Sequence, residues 1–248
     1  MRNLIKERGG TAVGIVVIVG AVAWLALAVD VVFMVAFWLV IAVVGFFELG
    51  MLDNLLPKEM PLRQSNAVYA ESNIWFVGQA VVIWLSLTAR GIICLLVVLV
   101  FVWVVDAASM VIGRKFGRKD PEHPLFASSP NKTRAGVAAG IVAGILLGLL
   151  AGYIVSLMEG EITLEVLLLP LFGALLAVVG MCGDLLESKC KRLAGIKNSG
   201  DTLRDAGYAP VRAIERFLGN HGGVLDRFDS FWPTLILFMV VGKIFHFI

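Results

Sequence analysis

One stretch of this sequence places acidic and basic side chains at spacings that suit phosphate chemistry. On a helix, one face would carry five of them, at i, i+3, i+4, i+7 and i+8: Asp184, Glu187, Ser188, Lys191 and Arg192. Carboxylates bind Mg²⁺, and the following Lys and Arg neutralise phosphate oxygens, so the pattern suits a metal ion bound to a polyphosphate. A solvated, salt-bridged helix face is the alternative, because Glu187 and Lys191 have the favourable i, i+4 spacing.

A second polar stretch, GNHGGVLDRFDS at 219–230, stands directly before the last apolar run. Asp226 and Asp229 are three residues apart and share a face if this segment is helical. The Gly222-Gly223 pair permits close approach of the backbone to a ligand. We therefore take 219–230 as a candidate ligand-binding segment.

A third candidate is an ionisable residue inside an apolar run. Asp106 lies about two turns before the end of that run, where a charge is costly, so it is a functional candidate, with a structural ion pair as the alternative. Gly113-Arg114 and Gly117-Arg118 follow, and their amides and guanidinium groups suit phosphate. They suit lipid headgroups equally well, so this segment alone does not identify a nucleotide site.

A fourth cluster, SSPNKTR at 128–134, precedes a glycine-rich apolar run. Ser129, Lys132 and Thr133 would form a turn at a helix N-terminus, where hydroxyl and ammonium groups can bind phosphate oxygens. The alternative is a capped helix start with basic residues beside the membrane.

The elements that must position these clusters are apolar helices. The chain is 59% hydrophobic and 16% charged, which predicts an all-α, polytopic membrane helical bundle. We expect one membrane-embedded domain over 1–248, with N-terminal helices in 11–112 and a catalytic half in 113–248. Seven segments are candidate transmembrane helices: 11–29, 31–48, 74–89, 91–112, 135–158, 163–182 and 231–247.

The distribution of Lys and Arg predicts the orientation of these spans. The N-terminus and the loops 49–73, 113–134 and 183–230 hold 19 of the 21 basic residues, and the opposite side keeps Arg90 and Lys243. The positive-inside rule then places the N-terminus and the candidate catalytic loops in the cytoplasm of a multi-pass protein of the cell (inner or plasma) membrane. A cleaved signal peptide within 1–29 is the less favoured alternative, since a second apolar run follows at once.

A glycine appears at every fourth position of the fifth predicted span: Gly136, Gly140, Gly144, Gly148 and Gly152. Such a stripe lets a neighbouring helix approach closely. We expect packing inside the protein, and a homodimer through the stripe stays open as the alternative.

Two longer motifs combine the first and second stretches. The first is S-x-x-K-R-x-x-x-x-K, formed by Ser188, Lys191, Arg192 and Lys197. The second is H-G-G-x-x-D-R-x-D, formed by His221, Gly222, Gly223, Asp226, Arg227 and Asp229. Upstream, Asp106, Gly113-Arg114, Ser129, Lys132-Thr133 and Glu48-Leu49 fit the same pattern in order. The chain thereby resembles the phosphatidate cytidylyltransferases (CDP-diacylglycerol synthases).

This resemblance implies a reaction of phospholipid biosynthesis, in which CTP and phosphatidate give CDP-diacylglycerol and pyrophosphate. It implies Mg²⁺, as one ion or two, held by Asp184 and Asp226. The implied catalytic residues are Asp184, Asp226, Lys191, Arg192 and Asp229. The implied substrate-binding residues are Ser129, Lys132, Thr133, Arg114, Ser188, Lys197, His221, Gly222, Gly223, Arg227 and Asp106. The expected partners are CTP, phosphatidate and the lipid bilayer, with no nucleic acid.

The sequence departs from the family pattern before the second motif. Asn198 stands where the family usually has Asp, and Gly219-Asn220 where it usually has Pro-Gly. An insertion, 201–218, also precedes His221. Its segment 210–218 predicts a short amphipathic helix that gathers anionic lipid at the membrane surface, or else an extra packed turn.

Two other functions stay open at this point. One is a CTP-dependent transferase that uses another lipid phosphate or a polyprenol, because the lipid tails would contact only apolar helices. The other is a non-catalytic or transport protein on the same scaffold, which the departures at Asn198 and Gly219-Asn220 would suit.

Overall fold

The computed structural model describes residues 17–118, 124–199 and 223–244. All regular secondary structure in these ranges is helical, which confirms the predicted all-α class. The helices are α1 (Val17–Ala28), α2 (Val32–Leu55), α3 (Leu62–Leu85), α4 (Ala89–Phe116), α5 (Arg134–Glu159), α6 (Leu164–Leu193), α7 (Leu225–Phe228) and α8 (Phe231–Ile244).

Four of these helices, α2, α4, α5 and α6, are long and apolar enough to cross a bilayer. The shorter apolar helices α1 and α8 adjoin residues outside the described ranges. The predicted span 74–89 corresponds to α3, which already begins at Leu62 and carries Arg63 and Glu71. The chain is therefore a multi-pass membrane protein, whereas the number of seven spans stays a prediction.

Helix α6 extends well beyond the predicted span 163–182. It runs to Leu193 and so includes all five residues of the first acidic and basic face. The helical continuation expected for this segment is therefore confirmed. It ends where Gly195 adopts a positive φ of 73°, a conformation that stops the helix at low steric cost.

The chain divides into two compact units. The first comprises Met1–Leu96 and Cys190–Phe228, and the second comprises Val97–Lys189 and Asp229–Ile248. Helices α4 and α6 each contribute residues to both units. The single domain expected over 1–248 stays a prediction.

In the first unit, α2 packs against α3 and α7. The buried side of α2 includes Met34, Trp38, Gly45, Glu48 and Leu52, at intervals of three, four or seven residues, as expected for one face of a helix. Gly45 leaves room for the indole of Trp75, which is 2% exposed. The Trp38 and Phe228 rings meet edge to face at 5.5 Å. One ionisable residue, Glu48, therefore lies in an otherwise apolar packing face.

In the second unit, the glycine stripe of α5 is buried over its whole length. Towards one end it faces Ser109 and Gly113 of α4. Further along it faces the backbone of α6 at Leu169 and Gly173. The expectation that the stripe packs inside the protein is therefore confirmed, because a Cβ at Gly140, Gly144 or Gly148 would overlap neighbouring atoms.

Candidate functional site

The first unit contains a buried polar group around Asp226, here called the Asp226 cluster (Glu48, Lys191, Ser199, Gly223 and Asp226). The Lys191 ammonium donates to Asp226 Oδ1, and both side chains are largely buried. The backbone N–H groups of Ser199 and Gly223 donate to Asp226 Oδ2 at 2.8 Å and 2.9 Å. Asp226 thus joins the end of α6, the segment after it and the turn that begins α7.

The same contacts set the protonation state of Asp226. Burial by itself raises the pKa of this carboxyl, but the Lys191 ammonium and the N–H groups of Gly223 and Ser199 outweigh it. The pKa of Asp226 therefore lies below its ordinary value, and the side chain is a carboxylate at neutral pH.

Glu48 completes the Asp226 cluster from α2. Its side chain is fully buried, and its oxygens accept the backbone N–H groups of Val224 at 2.8 Å and Leu225 at 2.9 Å. The Ser199 hydroxyl lies 2.9 Å from Glu48 Oε2 and 2.9 Å from Asp226 Oδ2. Its one proton can serve either carboxylate, so Ser199 bridges the two acids.

The second unit contains another group, here called the Asp184 cluster (Asp106, Ser128, Lys132, Asp184 and Ser188). Lys132 Nζ lies 2.7 Å from Asp184 Oδ2, and the Ser188 hydroxyl donates to Asp184 Oδ1 at 3.3 Å. Asp106 lies within electrostatic range of both Asp184 and Lys132. The Ser128 hydroxyl donates to the Leu185 carbonyl at 3.5 Å, which holds segment 128–134 against α6.

Thr133 caps the N-terminus of α5. Its hydroxyl accepts the Gly136 N–H at 3.2 Å and lies 3.4 Å from the Gly113 carbonyl of α4. The capped helix start, considered above as the alternative for this segment, is therefore present. Substrate contacts from Ser129, Lys132 and Thr133 stay predictions.

The remaining predicted residues lie in different surroundings. Arg114, Arg192 and Lys197 are exposed, and the Arg192 guanidinium donates to the Ile196 carbonyl at 3.0 Å. Ser129, Arg227 and Asp229 are half-buried. His221, Gly222, the insertion 201–218 and Gly219-Asn220 lie outside the described residues.

Two expectations about side-chain placement do not hold. Glu187 and Lys191 are 2% and 8% exposed, so they do not form a solvated salt-bridged face. Asp229 follows α7 instead of lying on it, so the condition for a helical face shared with Asp226 is not met. Pro233 has no N–H to donate to the Asp229 carbonyl, which favours a break in the helix at this point.

The two clusters differ in how well they suit Mg²⁺, which takes oxygen ligands and usually uses one or two carboxylates with waters and substrate phosphates. The Asp184 side chain is 32% exposed, and Asp106 is a second carboxyl group within electrostatic range, so the Asp184 cluster is the more accessible of the two to a cation. The Asp226 side chain is only 13% exposed, whereas in both clusters the two carboxylate oxygens already contact protein donors. Within the part of the chain that the structure describes, no group of three or more His, Cys, Asp and Glu residues could hold a metal. Joint binding by Asp184 and Asp226 stays a prediction.

Comparison with known proteins identifies the family. The model of the Cytidylyltransferase family matches residues 4–207, which is most of the chain. The chain belongs to the cytidylyltransferase family. The expectation drawn from the motifs is thus confirmed, and the matched region contains Lys132, Asp184 and Lys191 but ends before Asp226.

Curated relatives of this cytidylyltransferase family member carry the name phosphatidate cytidylyltransferase. The protein of Staphylococcus haemolyticus is 30% identical over 177 residues, and that of Staphylococcus epidermidis is 32% identical over 177 residues. A Staphylococcus aureus relative is 29% identical over 178 residues. Each match covers 71% of this chain and 59% of the relative, so the chain matches somewhat over half the length of these relatives.

Two residues of the Asp226 cluster were absent from the candidate set drawn from the sequence. Glu48 fits the family pattern but belongs to none of the four candidate clusters, although it is ionisable and lies within an apolar segment. The same criterion that selects Asp106 therefore also selects Glu48. Ser199 offers no such signal, because a serine beside a glycine is common in turns.

Proposed function

We propose that this protein transfers the cytidylyl group of CTP to phosphatidate, giving CDP-diacylglycerol and pyrophosphate. The observation that carries the proposal is the Lys132–Asp184 pair, in which a carboxylate on α6 meets an ammonium group within the region matched by the cytidylyltransferase family. The names of the curated relatives support the choice of phosphatidate as acceptor.

The proposed reaction brings two anions together. A phosphate oxygen of phosphatidate attacks the α-phosphorus of CTP, and the bond from that phosphorus to the bridging oxygen breaks as pyrophosphate leaves. Cationic side chains lower the cost of this approach by neutralising phosphate oxygens. We assign this role to six residues: Arg114, Lys132, Lys191, Arg192, Lys197 and Arg227. Ser129, Thr133, Ser188, His221, Gly222 and Gly223 are proposed substrate contacts.

The carboxylates have a separate proposed role. Asp184 and Asp226 would hold Mg²⁺, as one ion or two, and Asp106 would be a second carboxyl group within electrostatic range of Asp184. When bound, Mg²⁺ would neutralise and orient the phosphate groups of CTP. Asp229 is retained as a proposed catalytic residue on the strength of the motif alone.

The site is proposed to face the cytoplasm from the cell membrane. The basic loops support this orientation through the positive-inside rule. CTP would then reach the clusters from water, and phosphatidate would reach them from the bilayer.

The test is an assay of the purified protein in detergent. We expect labelled CDP-diacylglycerol from CTP labelled at the α-phosphate, Mg²⁺ and phosphatidate. Asp184→Asn and Asp226→Asn should each lower kcat by about 10²-fold or more, since each would remove charge at the reacting phosphates. Glu161→Gln, which alters an exposed acid in the loop between α5 and α6, is the matched control.

Further acceptors make the assay decisive. Polyprenol and polyprenyl phosphate are supplied in parallel, with CTP labelled at either the α- or the γ-phosphate, so that transfer of either group is detected. Product with one of these and none with phosphatidate would replace the proposed acceptor. No product with any acceptor would reject the enzymatic function, and full activity of Asp184→Asn would reject the proposed role of that carboxylate.

A further inference from the structure

Glu48 fits the family pattern, but the proposed reaction gives this buried acid no role. It stands on the apolar face of α2 and is fully buried. An apolar side chain would fill this position at a lower desolvation cost, because burying a carboxyl group is favourable only when protein donors satisfy it. The contacts of Glu48 therefore point to what the residue does.

The described hydrogen bonds of Glu48 lead to the two residues before Asp226 and to Ser199, which also contacts the Asp226 carboxylate. Oε1 accepts the Val224 N–H and Oε2 accepts the Leu225 N–H, and these are the two residues before Asp226. The Ser199 hydroxyl contacts Glu48 Oε2 and Asp226 Oδ2 equally closely. The Glu48 side chain thus holds the backbone at the start of α7 and also contacts the Ser199 hydroxyl, which in turn contacts Asp226.

Gly223 gives independent support for this arrangement. A Cβ at this position would overlap both Glu48 carboxylate oxygens and the Ser199 hydroxyl. The backbone of the turn approaches the carboxylate so closely that only glycine fits. The turn and Glu48 are therefore packed directly on each other, in addition to being hydrogen bonded.

We propose that Glu48 is a positioning residue, which holds the turn 223–226 so that the Asp226 carboxylate keeps its place. This inference rests on the proposed function, in which Asp226 acts at the reacting phosphates. Glu48 itself is too deeply buried to contact a substrate, so its effect would pass through the N–H groups of Val224 and Leu225 and through Ser199.

The variant Glu48→Gln tests this with little change in volume. The glutamine has one carbonyl oxygen in place of two carboxylate oxygens, so one of the two N–H groups loses its acceptor. We expect kcat to fall by about 10²-fold, since a displacement of about 1 Å at a reacting group has that effect, while KM for CTP changes little. Glu48→Asp, which keeps a carboxyl group with two oxygens, should recover part of the loss.

Controls separate positioning from general stability. Asp53→Asn removes an exposed acid from the same helix and should leave kcat unchanged. Ser199→Ala is a second variant, in case Glu48→Gln does not fold, and should also lower kcat. Activities are expressed per folded molecule, determined by size-exclusion chromatography. If both variants have the kcat of wild type per folded molecule, the positioning role is overturned.

Amide hydrogen exchange tests the same idea without any activity. In Glu48→Gln, exchange in a peptide covering 223–228 should accelerate by about tenfold or more, because one of its N–H groups has lost its acceptor. The same peptide should be unchanged in Asp53→Asn. Unchanged exchange in Glu48→Gln would overturn the inference. Faster exchange together with an inactive wild type would instead reject the proposed function and leave the structural role of Glu48 standing.

Discussion

At the scale of single residues, the Lys191–Asp226 pair explains how a charged group is held beside apolar helices. Both side chains are about nine-tenths buried, and either charge alone would be costly in such surroundings. The backbone N–H groups of Ser199 and Gly223 also donate hydrogen bonds to Asp226, so this side chain stays ionised although it is buried. The ion pair and its hydrogen bonds therefore depend on each other.

This dependence leads to a prediction for Lys191→Met. Removing the ammonium leaves the Asp226 carboxylate buried without its cation, and we expect the free energy of unfolding to fall by about 3 kcal/mol. The double variant Lys191→Met with Asp226→Asn should be more stable than Lys191→Met alone, because the unpaired charge of Asp226 is then also removed. Thermal unfolding in detergent measures both.

Lys189→Met, on the same helix and outside both clusters, is the control. If Lys191→Met and Lys189→Met have equal melting temperatures, the Lys191–Asp226 ion pair does not contribute measurably to the stability of the fold.

At the scale of elements, the glycine stripe of α5 determines how closely its neighbours approach. Gly144 and Gly173 face each other across α5 and α6, and a Cβ on either would meet the backbone of the other helix. In a membrane, where lipid is as apolar as the helix surface, such close contact is a main source of helix association. The stripe thereby holds α5 against α6, the helix that carries Asp184.

A matched pair of glycine substitutions tests this packing. Gly144→Ala should lower the free energy of unfolding by about 1–3 kcal/mol through overpacking. Gly50→Ala lies in α2, where a Cβ meets nothing within 4 Å, and should be neutral or stabilising because alanine has the higher helix propensity. Thermal unfolding of the two variants gives the comparison. If Gly50→Ala lowers the free energy of unfolding as much as Gly144→Ala does, close packing of α5 against α6 is not the cause of the loss.

At the scale of the whole molecule, the asymmetry of basic residues predicts which side of the membrane the loops face. The loops that hold the basic residues also carry most of the proposed phosphate-binding side chains. Arg90 and the acidic loop between α5 and α6 would lie on the opposite side. Orientation and function are therefore linked, because CTP is available on the cytoplasmic side.

Single-cysteine labelling tests this topology. In a background with Cys94, Cys182 and Cys190 replaced by serine, Lys119→Cys should react with a membrane-impermeant maleimide only after right-side-out vesicles are opened. Glu161→Cys should react in sealed vesicles. The reverse pattern would invert the proposed orientation and move the clusters away from cytoplasmic CTP.

The class of protein, the approximate helices and the family all follow from the amino-acid sequence without the tertiary structure. Apolar runs and helical periodicity are local properties, so they also predicted that Asp184 and Lys191 lie on one helix and that the stripe of α5 packs closely. The Lys191–Asp226 pair and the Glu48 contacts were decided by tertiary structure. These contacts join residues 35, 176 and 177 positions apart, and no local pattern specifies which distant backbone N–H a buried carboxylate will accept. Only the packing of α2 against the turn at 223–226 brought Glu48 to Asp226, because there a glycine leaves the space that the carboxylate fills.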